Sequence, residues 1–262
     1  MGAKLKHVAI SSSNNEMLKD FYTTLFGMRG DRGLALTDGY VGLNLNRRGW
    51  GRQAGIDHFG LEVDNAEAYI ARSRAAYPTI NFLKRPDNRP FAGIGTHDPA
   101  GNVFDLSQPG MENRKGVYAD SADEWLPRHI SHIQLRAVNP GLLAGFYEEI
   151  YGLQLEPRAA DDANYALTDG RVALVIAPWN ILDYAGTGVE RPAIDHIGFE
   201  VECLDAFKAD LDQLMESRPE LFPRYDKGST EGARRLEILA KCRRGEFRLH
   251  DPDGILLDVG EA

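Results

Sequence analysis

The chain is written twice, and the two copies share their histidines and aspartates. Ala35-Leu36-Thr37-Asp38-Gly39 recurs letter for letter as Ala166-Leu167-Thr168-Asp169-Gly170. Lys6-His7-Val8, running on to Phe21-Tyr22 and Gly27, matches Ser131-His132-Ile133, running on to Phe146-Tyr147 and Gly152. Ile56-Asp57-His58 matches Ile194-Asp195-His196, and His97-Asp98-Pro99-Ala100-Gly101 with Asp105 matches His250-Asp251-Pro252-Asp253-Gly254 with Asp258. The separation between matched residues only grows along the chain, so the second half reads as the first with loop insertions, the cheapest place for a chain to lengthen. A period this long marks a duplicated domain, not a solenoid.

A length of 262 residues fits two ordinary domains, each long enough to bury a core. The polar stretch Pro109–Arg128 holds no periodic apolar pattern and reads as the linker. The expected division is 1–110, a linker at 111–128, and 129–262. A formal charge of −9 argues against a nucleic-acid partner. No apolar run reaches membrane-spanning length, and Cys203 and Cys242 lack zinc-site spacing. These features suggest a soluble protein of a reducing cytoplasm.

Each half divides again into two units of one grammar: a strand, a helix, then two or three antiparallel strands. In the first unit a strand at Leu5–Ser11 precedes a helix at Asn15–Leu25, with Met17, Leu18, Phe21, Tyr22 and Leu25 at helical spacing and Gly27 as its C-cap. Alternation splits the strand faces. His132, Gln134 and Arg136 share one face of the strand Ile130–Val138, and His196, Gly198 and Glu200 share one face of Ile194–Glu202. Asp258 stands opposite Ile255, Leu257 and Val259. The apolar faces are expected to pack on the helix of their own unit. The polar faces would line a cup, and the first half repeats the pattern with His7, His58 and Asp105.

Strand-leading histidines, Phe-Tyr before a glycine, and Asp-Pro-x-Gly before a last strand, repeated in order, resemble the vicinal oxygen chelate superfamily. That superfamily includes glyoxalase I, methylmalonyl-CoA epimerase and the type I extradiol dioxygenases. The resemblance implies an α+β fold in which four βαβββ modules pair into two cupped mixed-sheet domains around a metal. In two-domain extradiol dioxygenases the ligands lie on the first strand of module three and the first and last strands of module four. Here those positions hold His132, His196 and Asp258, with His7, His58 and Asp105 as a second set. The family normally has Glu at the last position. Glyoxalase-like relatives take a fourth ligand from a strand where this chain has Asn44 or Asn46, and Val175 or Ala177, so a three-ligand site is the better reading. Two imidazoles and a carboxylate suit Fe(II), with Mn(II) or another divalent metal next.

The resemblance thus implies an extradiol-type dioxygenase acting on a catechol-like aromatic diol, expected to be a homo-oligomer. The alternatives are a non-oxidative metal-dependent isomerase or lyase and a metal-free small-molecule-binding protein. Gln134, Arg136 and Glu200 are expected beside the ligands, with Arg136 pairing either a substrate carboxylate or Glu200. Trp179 and Tyr184 are expected as an aromatic wall of the pocket or a domain interface. The acid–base residues stay unassigned. The insertion Pro219–Glu246, with a helix expected over 231–242, is a basic stretch that could attract an anion or simply be a solvated helix face.

Overall fold

The computed structural model describes residues 2–30, 35–51, 54–117, 125–181, 192–222, 237, 240 and 244–262. Module one runs β1 (Lys4–Ser12), α1 (Asn15–Phe26), β2 (Arg29–Gly30), β3 (Ala35–Thr37), β4 (Gly42–Arg47). Module two runs β5 (Gly55–Glu62), α2 (Ala66–Ala76), β6 (Phe82–Lys84), β7 (Ile94–His97), β8 (Val103–Ser107). Module three is β9 (His129–Ala137), α3 (Pro140–Tyr151), β10 (Gln154–Leu155), β11 (Tyr165–Thr168), β12 (Ala173–Pro178). Module four is β13 (Ile194–Val201), α4 (Leu204–Ser217), β14 (Phe247–His250) and β15 (Leu256–Glu261). The helix expected over 231–242 lies almost wholly outside the described residues.

The modules pair into two mixed sheets, of order β2-β3-β4-β1-β5-β8-β7-β6 and β10-β11-β12-β9-β13-β15-β14. In each sheet the first strands of the two modules run antiparallel at the centre, and each has the last strand of its own module parallel on its outer side. The strands that carry the histidines and late aspartates are therefore neighbours. Local chemistry sets the helix ends: Gly27 and Gly152 close α1 and α3 with φ of 67°, a left-handed conformation that costs glycine nothing.

The helices do not pack only on their own units. Phe26 of α1 stacks on Phe199 of β13 at 4.0 Å and meets Phe207 of α4 at 5.4 Å. Reciprocally, Tyr147 of α3 lies against Phe59 and Phe104 of the first sheet. One continuous buried cluster results, spanning both halves. The expectation of a separate core per half is corrected to a shared one, because the aromatic residues of each helix reach the apolar face of the opposite sheet.

Polar exchanges follow the same symmetry and explain the repeated motifs. Asp38 caps its turn by accepting from Tyr40 N and Val41 N through Oδ1, while Oδ2 accepts from Ile130 N of the other half. Asp169 does likewise, with Oδ2 on Leu5 N. In the Asp-Pro-x-Gly turns, Asp98 Oδ2 accepts from Tyr147 O–H and Asp251 Oδ2 from Tyr22 O–H, each at 3.0 Å. Burial raises the Asp251 carboxyl to about 7 against the donors that face it. Beside the linker, Arg114 forms an ion pair with Glu62, and Asn113 donates to Pro86, Arg89 and Ala92 carbonyls, so residues 112–114 lie against the first half.

Candidate metal centres in the two halves

Each sheet brings its two histidines and its late aspartate together. The three ligand-type atoms of His132, His196 and Asp258 lie within 4.8 Å of one another, as do those of His7, His58 and Asp105. The register explains why. Gly198 of β13 sits between His132 of β9 and Asp258 of β15, and Gly60 stands likewise between His7 and Asp105. The missing side chain at Gly198 is a requirement, because a Cβ there would fall 1.8 Å from the His132 ring. In the first half, the space over Gly60 is shared by Phe91 and His7, whose rings stack at 4.7 Å. Phe91 holds a φ of 65°, rare for a bulky residue.

Strand alternation misses one functional residue in each half. β13 carries a bulge between Ile194 and His196 opposite β9, and β5 carries one between Ile56 and His58 opposite β1. The extra residues are Asp195 and Asp57. The bulge brings each carboxylate to the histidine that follows it: Asp195 Oδ2 lies 3.4 Å from His196 Nδ1, and Asp57 Oδ2 lies 2.9 Å from His58 Nδ1. A carboxylate behind Nδ1 fixes the tautomer that leaves Nε2 free as a ligand, as in metal sites generally. Ser131 Oγ takes the matching place 3.1 Å from His132 Nδ1. An Asp-His dipeptide on a strand is the signal that could have pointed to Asp195; the bulge itself has no plain sequence mark.

The two sets nevertheless differ. In both halves the two Nε2 atoms face each other at 3.3 Å; in the second half the nearest Asp258 oxygen to His132 Nε2 is Oδ2, 3.6 Å away. His132, His196 and Asp258 are 2%, 0% and 0% exposed. Asp258 Oδ2 accepts from Arg244 N and Gly245 N at 2.8 Å, while buried Oδ1 has no hydrogen-bond partner among the described residues. Burial, together with the His196 and Arg244 charges, holds His132 well below the usual imidazole value, so it is neutral. A buried carboxylate with one unpaired oxygen, brought within 4.8 Å of two facing imidazole nitrogens, fits a divalent cation.

In the first half the set closes on itself. His58 Nε2 contacts Asp105 Oδ2 at 2.9 Å while Nδ1 contacts Asp57. Burial works against a charged imidazole, yet the bonds and charges of Asp105 and Asp57 outweigh it and raise His58 to about 9. His7 is pushed well below its usual value by burial and by His58.

The other expected site residues are placed as follows. Arg136 and Gln134 lie behind His196: Arg136 donates to Asp195 from Nε at 3.1 Å and from a terminal nitrogen at 3.0 Å, and Gln134 Nε2 is 3.5 Å from the same oxygen. Burial favours a neutral Asp195, but His196 and Arg136 hold its carboxyl well below the usual range. Arg136 thus pairs with Asp195, while Glu200 turns to His129, 3.5 Å away, at the start of β9. Trp179 is half-buried just past β12, its N–H donating to Ala137 O; Tyr184 lies outside the described residues. Asn44 and Asn46 stand on β4, with Asn44 Nδ2 donating to Asn46 Oδ1, and Val175 and Ala177 take the matching places on β12.

Solved structures share this architecture along nearly the full chain. A 2,3-dioxygenase, LapB, from Pseudomonas sp. KL28 superposes with a TM-score of 0.61 at 16% identity, covering 100% of this chain and 93% of that one. Homoprotocatechuate 2,3-dioxygenase from Arthrobacter globiformis gives 0.63 at 13% identity, covering 100% and 80%. A Mn(II)-bound glyoxalase from Novosphingobium aromaticivorans gives 0.60 at 18%, covering 99% and 82%. The chain has the vicinal oxygen chelate fold. No protein-family model matches the sequence, and no curated protein sequence does. On that fold it carries two ligand-type triads among the described residues, one on each sheet. Among the described residues no helix is long and apolar enough to cross a membrane.

Proposed function

We propose that this chain is a metal-dependent enzyme that opens a catechol-like aromatic ring with dioxygen, and that His132, His196 and Asp258 hold the metal. The observation that carries this reading is the buried triad itself: two facing Nε2 atoms and the Asp258 carboxylate, one oxygen of which has no hydrogen-bond partner among the described residues. Fe(II) held there would act as a Lewis acid toward two adjacent substrate oxygens and would relay electrons from the catechol, the net reductant, to dioxygen.

The chain's own residues prepare that centre. Asp195 accepts from His196 Nδ1 and keeps Nε2 directed at the site. Arg136 keeps Asp195 anionic, and Ser131 holds the Nδ1 side of His132. The N–H groups of Arg244 and Gly245 bind Asp258 Oδ2 and hold the carboxylate in place beside the histidines. Asp258 is shorter than the family's usual Glu by one methylene, and Gly245 backs it closely: a Cβ at Gly245 would lie 2.9 Å from Asp258 Oδ1. Burial of the whole set excludes bulk water and strengthens each of these interactions. The soluble, cytoplasmic, homo-oligomeric character expected from the sequence belongs to this same proposal.

The direct test is oxygen consumption by Fe(II)-loaded protein with a panel of catechols. Uptake with ring-cleavage absorbance supports the reading, and no uptake across the panel rejects it. Similarity to a Mn(II)-bound glyoxalase supports a second reading, a non-oxidative isomerase or lyase using the same three residues with Mn(II). Turnover without oxygen would select it.

A further inference from the structure

The first-half triad opens on a cleft of about 1660 Å³, larger than a typical small-molecule pocket. Both halves build it. His7, His58 and Asp105 lie on its floor with Asn44 and Asn46, and Ala193, Ile194 and Ile255 of the second half add apolar surface. Three of its four carboxylates face a cationic or imidazole partner, and the fourth, Asp253, is bound by an amide through one oxygen. Asp57 and Asp105 meet His58, Asp195 meets Arg136 and His196, and Asp253 accepts from Asn14 at 2.8 Å.

Its arginines differ. Arg47, Arg85 and Arg89 line the cleft, and none has an ion pair or side-chain hydrogen bond among the described residues. Arg85 is the innermost. It passes over Gly95, which pairs with Asp105 in the β7–β8 register; a Cβ at Gly95 would lie 3.4 Å from Arg85 Cδ and 3.5 Å from Asp105 Oδ1. Arg85 Nε is buried and has no hydrogen-bond partner among the described residues. A buried guanidinium N–H without an acceptor is costly, and a planar bidentate anion removes that cost. On a chain of net charge −9, three arginines without an ion pair among the described residues gather on one cleft and favour an anion beside them.

We infer that the first-half cup is a second ligand site, separate from the metal centre, which binds a small organic carboxylate with an apolar body and seats the carboxylate on Arg85. The apolar body lies against Ile56, Ala193 and Ile194, and Arg89 and Arg47 add charge at the rim. This inference rests on no part of the dioxygenase reading.

Calorimetric titration of the full chain with benzoate, and with benzamide as the neutral isostere, tests it. Benzoate binds saturably and benzamide at least about tenfold more weakly, the discrimination expected of a charge-assisted pair. Arg85→Gln weakens benzoate about tenfold or more with an unchanged melting curve, and Arg89→Gln weakens it less. Stripping metal with a chelator leaves benzoate binding unchanged. Should Arg85→Gln not fold, Arg85→Lys keeps the charge, loses the fork and weakens benzoate several-fold. Absent benzoate binding, equal affinity for benzamide, indifference to both Arg85 variants, or loss of binding on chelation would each overturn the inference.

Discussion

The two cups of this protein carry the same three residue types on the same strands and bring both sets within 4.8 Å, yet the two carboxylates are bound differently. In the first, Asp105 turns Oδ2 onto His58 Nε2 at 2.9 Å, and the histidine bridges two carboxylates. In the second, Asp258 gives Oδ2 to two backbone N–H groups and stands 3.6 Å from His132, leaving its other oxygen unpaired. The cause lies just before the second-last strand. Six residues ahead of His97 stands Phe91, whose ring stacks on His7; six ahead of His250 stands Arg244, whose backbone turns to Asp258. A ligand set is therefore defined by what its neighbours leave unsatisfied as much as by its own residues.

The largest expected effect separates the cups outright. His196→Ala should abolish stoichiometric metal, read by elemental analysis, and reduce catechol-dependent oxygen uptake to background. His58→Ala should leave one metal per chain, and if the two variants behave alike the contrast is broken. Asp195→Asn should lower metal affinity or turnover by about 10–100-fold, the usual cost of removing a carboxylate behind a ligating histidine. Wild-type metal affinity in that variant would show that the bulge serves packing alone.

Protonation sharpens the same contrast. His58 should titrate near 9 by NMR in metal-free protein, whereas His132 should stay neutral across the accessible range. A raised histidine lends stability that is complete below its unfolded value near 6.5 and is lost as pH rises through about 9. Asp57→Asn should shrink that alkaline loss, which is of order 1–3 kcal/mol in denaturant unfolding. The smallest effect concerns what the halves share. Tyr22→Phe and Tyr147→Phe should each cost about 1–2 kcal/mol of stability in urea, because each removes one buried bond to an aspartate of the other half. A cost in one variant and none in the other would mean that the cross-half exchange is not symmetric in energy.

Much of the fold was legible because repetition and periodicity are local properties. The duplication, the order of elements, α1 with its Gly27 cap, and the histidine and aspartate faces all follow from spacing along the chain. Alternation placed Arg136 and Gln134 on the ligand face, and the structure finds them there, one step back, on Asp195. It gives Asp195 no place on that face, because a bulge shifts the two-residue period by one and leaves no mark in composition. The pairing of Arg136 was left open between a substrate and Glu200; the bulge supplies a third partner. The expectation of two self-contained cores failed for a different reason: periodicity shows that a helix face is apolar, not which sheet it meets.

From residue order alone came four modules, two matched triads and the fold they imply, since those depend on periods and motifs that short stretches of chain already express. Tertiary structure alone decided how each triad's carboxylate is bound, and that α1 and α3 knit the halves into a single core. It also decided that Asp98 and Asp251 serve tyrosines of the opposite half. Each of these rests on groups far apart in the chain, where an ångström of difference in how a carboxylate turns separates a direct histidine contact from a bond to backbone N–H groups.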